Sequence, residues 1–309
     1  MPTGGLVAAP EAIAALASKG EELGFGFVAV SDHVVVPGDI RSRYPYDASG
    51  EFDGGGDCLE QLALLSFIAA HTSTMRLLPS VMVLPHRGPV LAAKMLATID
   101  VLSQGRLIVG CGVGWMREEI EALGVVPYDE RGAASDEYIR AFKELWTSDA
   151  PTFEGRYVNF SDIGFVPRPV QKPHPPIWVG GESPPALRRA ARLGDGWYPS
   201  GNNAGHPIGT ASLIADSISS LRRYAEEAGR DPTDIDIACT AAWSDDPDTE
   251  RRPEEGALTF AGSAEQLAAG IRTFEGLGVG HMTFELDGRS LDETLERMER
   301  FAVEVMPQV

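Results

Sequence analysis

The chain is 309 residues long, 43% of them apolar, with a formal net charge of −19. That length and apolar content suffice to bury one large core, while the charge argues against nucleic acid or an anionic membrane as a partner. The three cysteines, Cys58, Cys111 and Cys239, form no CxxC or metal-finger spacing, so a reduced cytoplasmic setting is the default.

No signal peptide or membrane-length apolar run is visible. A helix is expected over Pro10 to Leu23, closed by Gly24. A strand over Phe27 to Ser31 then ends on Asp32-His33. Val36 to Asp57 is rich in Pro, Gly, Asp, Ser, Arg and Tyr and is too long for an ordinary connection, which makes it a lid or pocket wall. A helix from Cys58 to His71 leads into the most clearly patterned stretch, Arg76 to Trp115. There an apolar run (Leu77 to Leu84) precedes a helix with Leu91, Met95, Ile99 and Leu102 on one stripe, and a second apolar run (Leu107 to Val113) follows. That is a strand, a crossover helix and a parallel strand, both strands buried on two faces.

The second run carries Gly110, Gly112 and Gly114, a spacing of two that puts bare backbone on one side of the strand tip. A dinucleotide fingerprint fits poorly, because the spacing is GxGxG and Trp115 follows. Close approach of a ligand and tight packing within the sheet compete for these glycines.

Helices are expected around Glu118 to Leu123 and from Ala134 to Trp146. Thr152 to Pro176 carries five prolines and no helical period, so it reads as an excursion that returns to the sheet. Ile177 to Val179 is a strand, GGESPPALRRAARLG a loop and helix, and Trp197 to Pro199 another strand. A helix from Thr210 to Gly229, a strand from Asp234 to Ala241 and a second long polar loop from Ala242 to Ala261 follow. Ser263-x-x-Gln266 is a capping box. The last pair is strand Met282 to Leu286 and helix Leu291 to Met306.

LGFGF at 23–27, LGDGW at 193–197 and LGVGH at 277–281 each close a helix and open a strand, the first glycine suiting a left-handed cap. Short αβ turns and long βα loops are what a (β/α)8 TIM barrel requires. The reading is therefore one α/β domain over residues 1–309, with excursions at about 36–57, 152–176 and 242–261. A doubly wound open sheet is the runner-up. Only seven strands are found. The first is missing or truncated, so that either the barrel has a gap there or the true start lies upstream and Met1 is internal.

In such a barrel chemistry sits on the loops after the strands. Asp32 and His33 occupy one such tip and are the candidate catalytic pair. No HxH, HExxH or clustered acid–histidine set supports a metal, and His281, opening a strand, reads as structural. At Gly180-Gly181-Glu182-Ser183-Pro184, Ser183 is the N-cap and Pro184 the first helical residue. Backbone N–H groups at such a start attract phosphate, with Arg188, Arg189, Arg192, Arg168 and Lys172 as available counter-charges. No GxSxG elbow, catalytic-cysteine pattern or Walker loop occurs. A phosphate grip with few acid–base groups suggests that a bound cofactor does the hard chemistry.

Ser31-Asp32-His33, LPHRGPVLAAKMLATIDVLSQGRLIVGCGVGW and FVPRPVQKPHPPIWVGGESPPALRRAARLGDGW together resemble the luciferase-like monooxygenase superfamily, and within it the branch that uses the deazaflavin coenzyme F420. The resemblance runs over nearly the whole chain from Gly4. It implies a barrel holding a flavin-like ring at the strand tips, with a non-proline cis peptide at Ser80-Val81 against the ring. It also implies that Asp32 and His33 lie beside the ring, and that Gly180 and Gly181, with Glu182 and Ser183, meet the phosphate. Gly112, Gly114 and Trp115 complete the expected cofactor contacts, although Trp115 stands where some relatives have a polar or acidic residue.

The implied reaction is hydride transfer between F420 and a small organic substrate. The alternative is an FMN-dependent two-component monooxygenase supplied with reduced flavin by a partner reductase. A further one is a non-catalytic flavin or deazaflavin carrier. Relatives of this kind are often dimers, so a homodimer is one expected assembly.

Overall fold

The computed structural model describes residues 8–47, 49–52, 54, 58–244 and 258–309. In chain order it begins with α1 (Pro10–Glu22), β1 (Phe27–Val30), α2 (Gln61–His71), β2 (Arg76–Pro79), β3 (Met82–Val83), α3 (Pro89–Leu102), β4 (Val109–Gly112), α4 (Arg117–Leu123) and α5 (Arg131–Thr147). A hairpin of β5 (Phe153–Glu154) and β6 (Asn159–Phe160) follows, then β7 (Ile177–Gly180), α6 (Pro184–Leu193), β8 (Gly196–Tyr198) and α7 (Ala211–Glu227). The chain ends with β9 (Asp236–Ser244), β10 (Thr259–Ala261), α8 (Ala264–Glu275), β11 (His281–Glu285) and α9 (Leu291–Glu304).

β1 pairs with β2, β3 with β4, and the order continues β4, β7, β8, β9, β11, every pairing parallel. Side chains from the two ends of that order meet inside. Phe27 of β1 lies 6.2 Å from both Trp178 of β7 and His281 of β11, and the latter two rings are 5.0 Å apart. One layer up, the Tyr198 hydroxyl bonds Ser80 (2.9 Å), Thr240 (2.8 Å) and Thr283 (3.0 Å). Strands that share an interior in this way form a (β/α)8-type barrel. The helices wrap the outside, with α1 packed against both α2 and α9.

β1 and β11 do not pair with each other among the described residues. A cavity of about 460 Å³ lies at this seam, lined by Phe27, Met282 and Phe284 among others. The expectation of an absent first strand concerns residues 1–9, of which 1–7 lie outside the described residues.

The structure corrects several local expectations. Only part of the stripe expected on α3 faces the core. Ile99 is buried and Met95 packs partly buried against the core, whereas Leu91 and Leu102 are 63% and 61% exposed, and Ala92, Ala93, Leu96, Ala97 and Asp100 complete the buried face. The apolar run from Leu77 to Leu84 is broken by the cis peptide at Ser80-Val81 into β2 and β3. α2 starts at Gln61, because the Glu60 carboxylate accepts the Ala63 N–H as its N-cap. The polar loop from Ala242 is shorter than expected, since β9 runs on to Ser244 and β10 occupies Thr259–Ala261; residues 245–257 fall outside the described residues. Of the three echoed glycines, Gly24 and Gly278 are left-handed (φ 87° and 98°), whereas Gly194 has φ −85°. A Cβ at Gly194 would sit 3.0 Å from the Gly196 carbonyl oxygen, so crowding rather than handedness explains it.

Candidate active site

Every residue singled out from the sequence for catalysis or cofactor contact lines one cavity of about 630 Å³ at the carboxyl ends of the strands: Asp32, His33, Ser80, Val81, Gly112, Gly114, Trp115, Gly180, Gly181, Glu182 and Ser183. Val81 projects between neighbouring strand tips. A Cβ on Gly112 would fall 2.7 Å from its Cγ2, and one on Gly180 3.0 Å from its Cγ1. Only glycine leaves room there. Gly110 is different: a Cβ would sit 2.1 Å from the Pro79 carbonyl oxygen, so the first glycine of the GxGxG run serves strand packing, and the later two face the cavity.

Asp32 is 5% exposed and fully engaged. It accepts the Val83 N–H at 2.8 Å and both terminal nitrogens of Arg87 at 2.8 Å. Arg87 also reaches Glu60. Burial weakens the guanidinium's hold on its proton, but Asp32 and Glu60 more than offset this and shift it upward. A carboxylate so occupied anchors the loop after β1.

His33 stands next to it with a different environment. Its Nδ1 is 2.8 Å from Glu119 Oε2, and no partner to Nε2 occurs among the described residues. Glu119 comes from the first turn of α4 and is 1% exposed. Its other oxygen accepts the N–H groups of Val34 (2.7 Å) and Val35 (3.3 Å). Burial opposes the charge of Glu119, but the His33 bond, the nearby His86 ring and the Val34 N–H outweigh it, so its carboxyl titrates below the ordinary value. His86 lies between the two carboxylates, 3.8 Å from Asp32 and 3.7 Å from Glu119. Burial pulls its titration down despite those neighbours, and its Nδ1 has no hydrogen-bond partner among the described residues.

Neither Glu119, His86 nor Arg87 was singled out from the sequence. Adjacent acids in a helix's first turn read as ordinary dipole partners, and His86 looked like one of several scattered histidines. The one available signal was that α4 follows the β4 tip directly. Glu118 does parallel work, accepting the Arg41 and Ser42 N–H groups, so the acidic pair of α4 ties down the start of the long loop after β1. Farther along, Tyr44 and Phe52 pack on Trp115 with ring separations of 5.1 and 5.3 Å, and Phe52 lies 4.9 Å from His33. Trp115 is thus the platform on which this loop rests.

At the other end of the cavity, Ser183 caps α6 through the Ala186 N–H. Pro184 and Pro185 have no N–H to offer, so this start lacks the full turn of donors that an ordinary helix N-terminus presents. Gly181 adopts φ +101°, which favours glycine. Of the expected counter-charges only Arg189 lines the cavity, held by Asp136 and the Gly132 carbonyl. Arg188 stacks on Tyr224, Arg168 pairs with Asp149 and Lys172 bonds the Pro169 carbonyl. Arg131, missed in the sequence, lines the cavity as well and bonds the Gly114 carbonyl at 3.1 Å. Glu182 is buried beneath this end, accepting Ser200 N–H (2.6 Å) and Asn203 (2.5 Å). Burial pushes its carboxyl up to about 7, against the pull of those two bonds.

Among the described residues no His/Cys/Asp/Glu group has metal-holding geometry, and no helix is long and apolar enough to cross a membrane. A family model described as luciferase-like monooxygenase matches residues 2–255. The chain is 37% identical over 146 residues to an FMNH(2)-dependent dimethylsulfone monooxygenase of Pseudomonas putida, covering 47% of this chain and 40% of that protein. An uncharacterized Mycobacterium tuberculosis protein is 31% identical over 297 residues, 95% of this chain and 94% of its own length. Among solved structures, an F420-dependent secondary alcohol dehydrogenase in complex with an F420-acetone adduct superposes with TM-score 0.78 at 20% identity, over 97% of this chain and 95% of that one. The fold, the strand-tip cavity and the match over most of the sequence agree: this chain belongs to the luciferase-like monooxygenase family.

Proposed function

We propose that the protein is an oxidoreductase that transfers hydride between coenzyme F420 and a small organic substrate. The observation that carries this reading is His33: its ring lines the cavity, its Nδ1 is tied back to a buried carboxylate, and its Nε2 has no partner among the described residues. Hydride transfer at a carbon–oxygen bond needs one group that takes or gives the oxygen's proton. His33 is suited to that role, with Asp32 and Arg87 fixing the loop that bears it.

The residues fit a tricyclic cofactor with an anionic tail. Gly112 and Gly180 leave a cradle against Val81 that a Cβ would fill. Gly181 and Ser183 bring backbone N–H groups to the cavity, and Arg131 and the Asp136-paired Arg189 line the same cavity. When bound, the deazaflavin supplies the hydride chemistry. The protein's part is to hold the ring at the strand tips, keep the loop after β1 over it, and present His33.

A second reading, an FMN-dependent monooxygenase fed with reduced flavin by a partner reductase, is favoured by the likeness to the Pseudomonas putida enzyme. Titrating the purified protein with F420 and with FMN, followed by cofactor fluorescence, separates the two. Saturable F420 binding with weak FMN binding is expected. Tight FMN binding without F420 binding overturns the first reading in favour of the second.

A further inference from the structure

We infer that Glu119 is a positioning residue that decides which nitrogen of His33 meets the substrate: its carboxylate takes the Nδ1 hydrogen and leaves Nε2 as the exposed, accepting atom on the cavity wall. An acid that served only to order the loop after β1 would need one oxygen, and Oε1 does that by accepting the Val34 and Val35 N–H groups. Oε2 is turned to His33 Nδ1 at 2.8 Å. An ionised carboxylate only accepts, so the hydrogen between these atoms belongs to Nδ1. Glu119 has no lysine or arginine partner among the described residues; its ion pairs are with His33 and His86 alone.

Around this pair stand His86, the Asp32 carboxylate behind it, Arg87 bound to Asp32, and the uncharged Phe52 ring against the face of His33. In the neutral form Nε2 accepts a hydrogen bond from a substrate O–H or N–H. If the proton crosses, the O–H bond breaks, an Nε2–H bond forms, the electron pair stays on oxygen, and the imidazolium lies against Glu119. The reverse transfer serves a carbonyl oxygen becoming a hydroxyl. The substrate contact rests on the oxidoreductase reading above, whereas the tautomer does not.

The test is ring-nitrogen NMR on the full chain labelled with 15N-histidine, with His33→Asn used to assign the His33 signals. At a pH where the ring is neutral, wild type is expected to show the Nδ1–H pattern. In Glu119→Gln the amide oxygen stays with the Val34 and Val35 N–H groups, so the NH2 group faces Nδ1 and the pattern inverts to Nε2–H. Glu118→Gln, which loosens the same loop without touching His33, is expected to leave the pattern as in wild type. An Nε2–H or averaged pattern in wild type overturns the inference, and this arm stands even if Glu119→Gln does not fold. So does an unchanged pattern in Glu119→Gln, or an equal change in Glu118→Gln. Failure to bind either F420 or FMN would instead sink the functional reading and leave the tautomer result standing.

Discussion

At the scale of single residues, the cavity is governed by which charges are compensated. Asp32 is held by the Arg87 guanidinium and Glu119 by His33 and two backbone N–H groups, whereas among the described residues Glu182 is buried against the neutral Ser200 N–H and Asn203 amide, and burial raises its carboxyl to about 7. The folded protein therefore keeps this proton between 4.5 and about 7, where the unfolded chain has already lost it. With more protons bound in the folded state, stability falls as pH rises through that window and levels off above it. Glu182→Gln keeps the shape and removes the titration. Comparing thermal or urea unfolding at pH 5 and pH 8 should show the variant losing about 3 kcal/mol less than wild type over that interval. Parallel pH dependence in the two proteins would show that Glu182 has a cation nearby or opens to water.

At the scale of elements, two segments stand out for how they are held: one by buried carboxylates, the other by a helix cap. The Pro-rich excursion between α5 and β7 is not held by a strand ladder of its own beyond the short β5–β6 hairpin. It is tied to the helix layer by Glu137, which accepts the Arg156, Tyr157 and Val158 N–H groups, and by Asp100. Asp100 is fully buried on α3 and accepts Val170 N–H (2.7 Å), Gln171 N–H (3.1 Å) and the Gln171 side chain (2.6 Å). Asp100→Ala strands those donors at a cost of about 2–4 kcal/mol. Denaturant unfolding measures the loss, and limited proteolysis should find new cleavage within 160–176. The second segment is the start of α6. Ser183→Asp conserves the N-cap but puts a negative charge where an anionic tail is proposed to sit. A roughly tenfold weaker cofactor affinity with an unchanged melting temperature is expected. Unaltered affinity would mean the anion sits elsewhere.

At the scale of the whole molecule, 45 acidic residues face 26 basic ones, and such an excess repels itself in the compact state. Raising NaCl from about 0.02 M to 0.5 M, which shrinks the screening length well below 10 Å, is expected to raise the melting temperature by roughly 2–4 °C, equivalent to about 1 kcal/mol for a chain of this size. A flat response would show that the surface acids are already paired locally. The large cavities also differ at this scale. Both are lined by apolar and polar side chains, but the strand-tip cavity gathers His33, Glu119, Arg131, Arg189 and Glu182, none of which lines the seam cavity between β1 and β11, and the proposed chemistry is placed there for that reason.

Patterning along the chain was enough for the repeating βα plan, for seven strand segments, one of them divided into β2 and β3 in the fold, and for the tip positions at Asp32-His33, Gly112, Gly114 and Gly180 to Ser183; β10 lay hidden in an expected loop. Those features follow from local rules: period-two and period-3.6 patterning, caps, and glycines at strand ends, each readable within a dozen residues. What His33 bonds to, that Arg87 grips Asp32, that Arg131 and Arg189 share one cavity, and that Leu91 and Leu102 point outward became visible in the folded chain alone. Glu119 is 86 positions from His33, and no local pattern records a partner that distant. Whether an acid, a histidine or an arginine is solvated surface or part of a buried cluster is settled by which strand tips the closing barrel brings side by side.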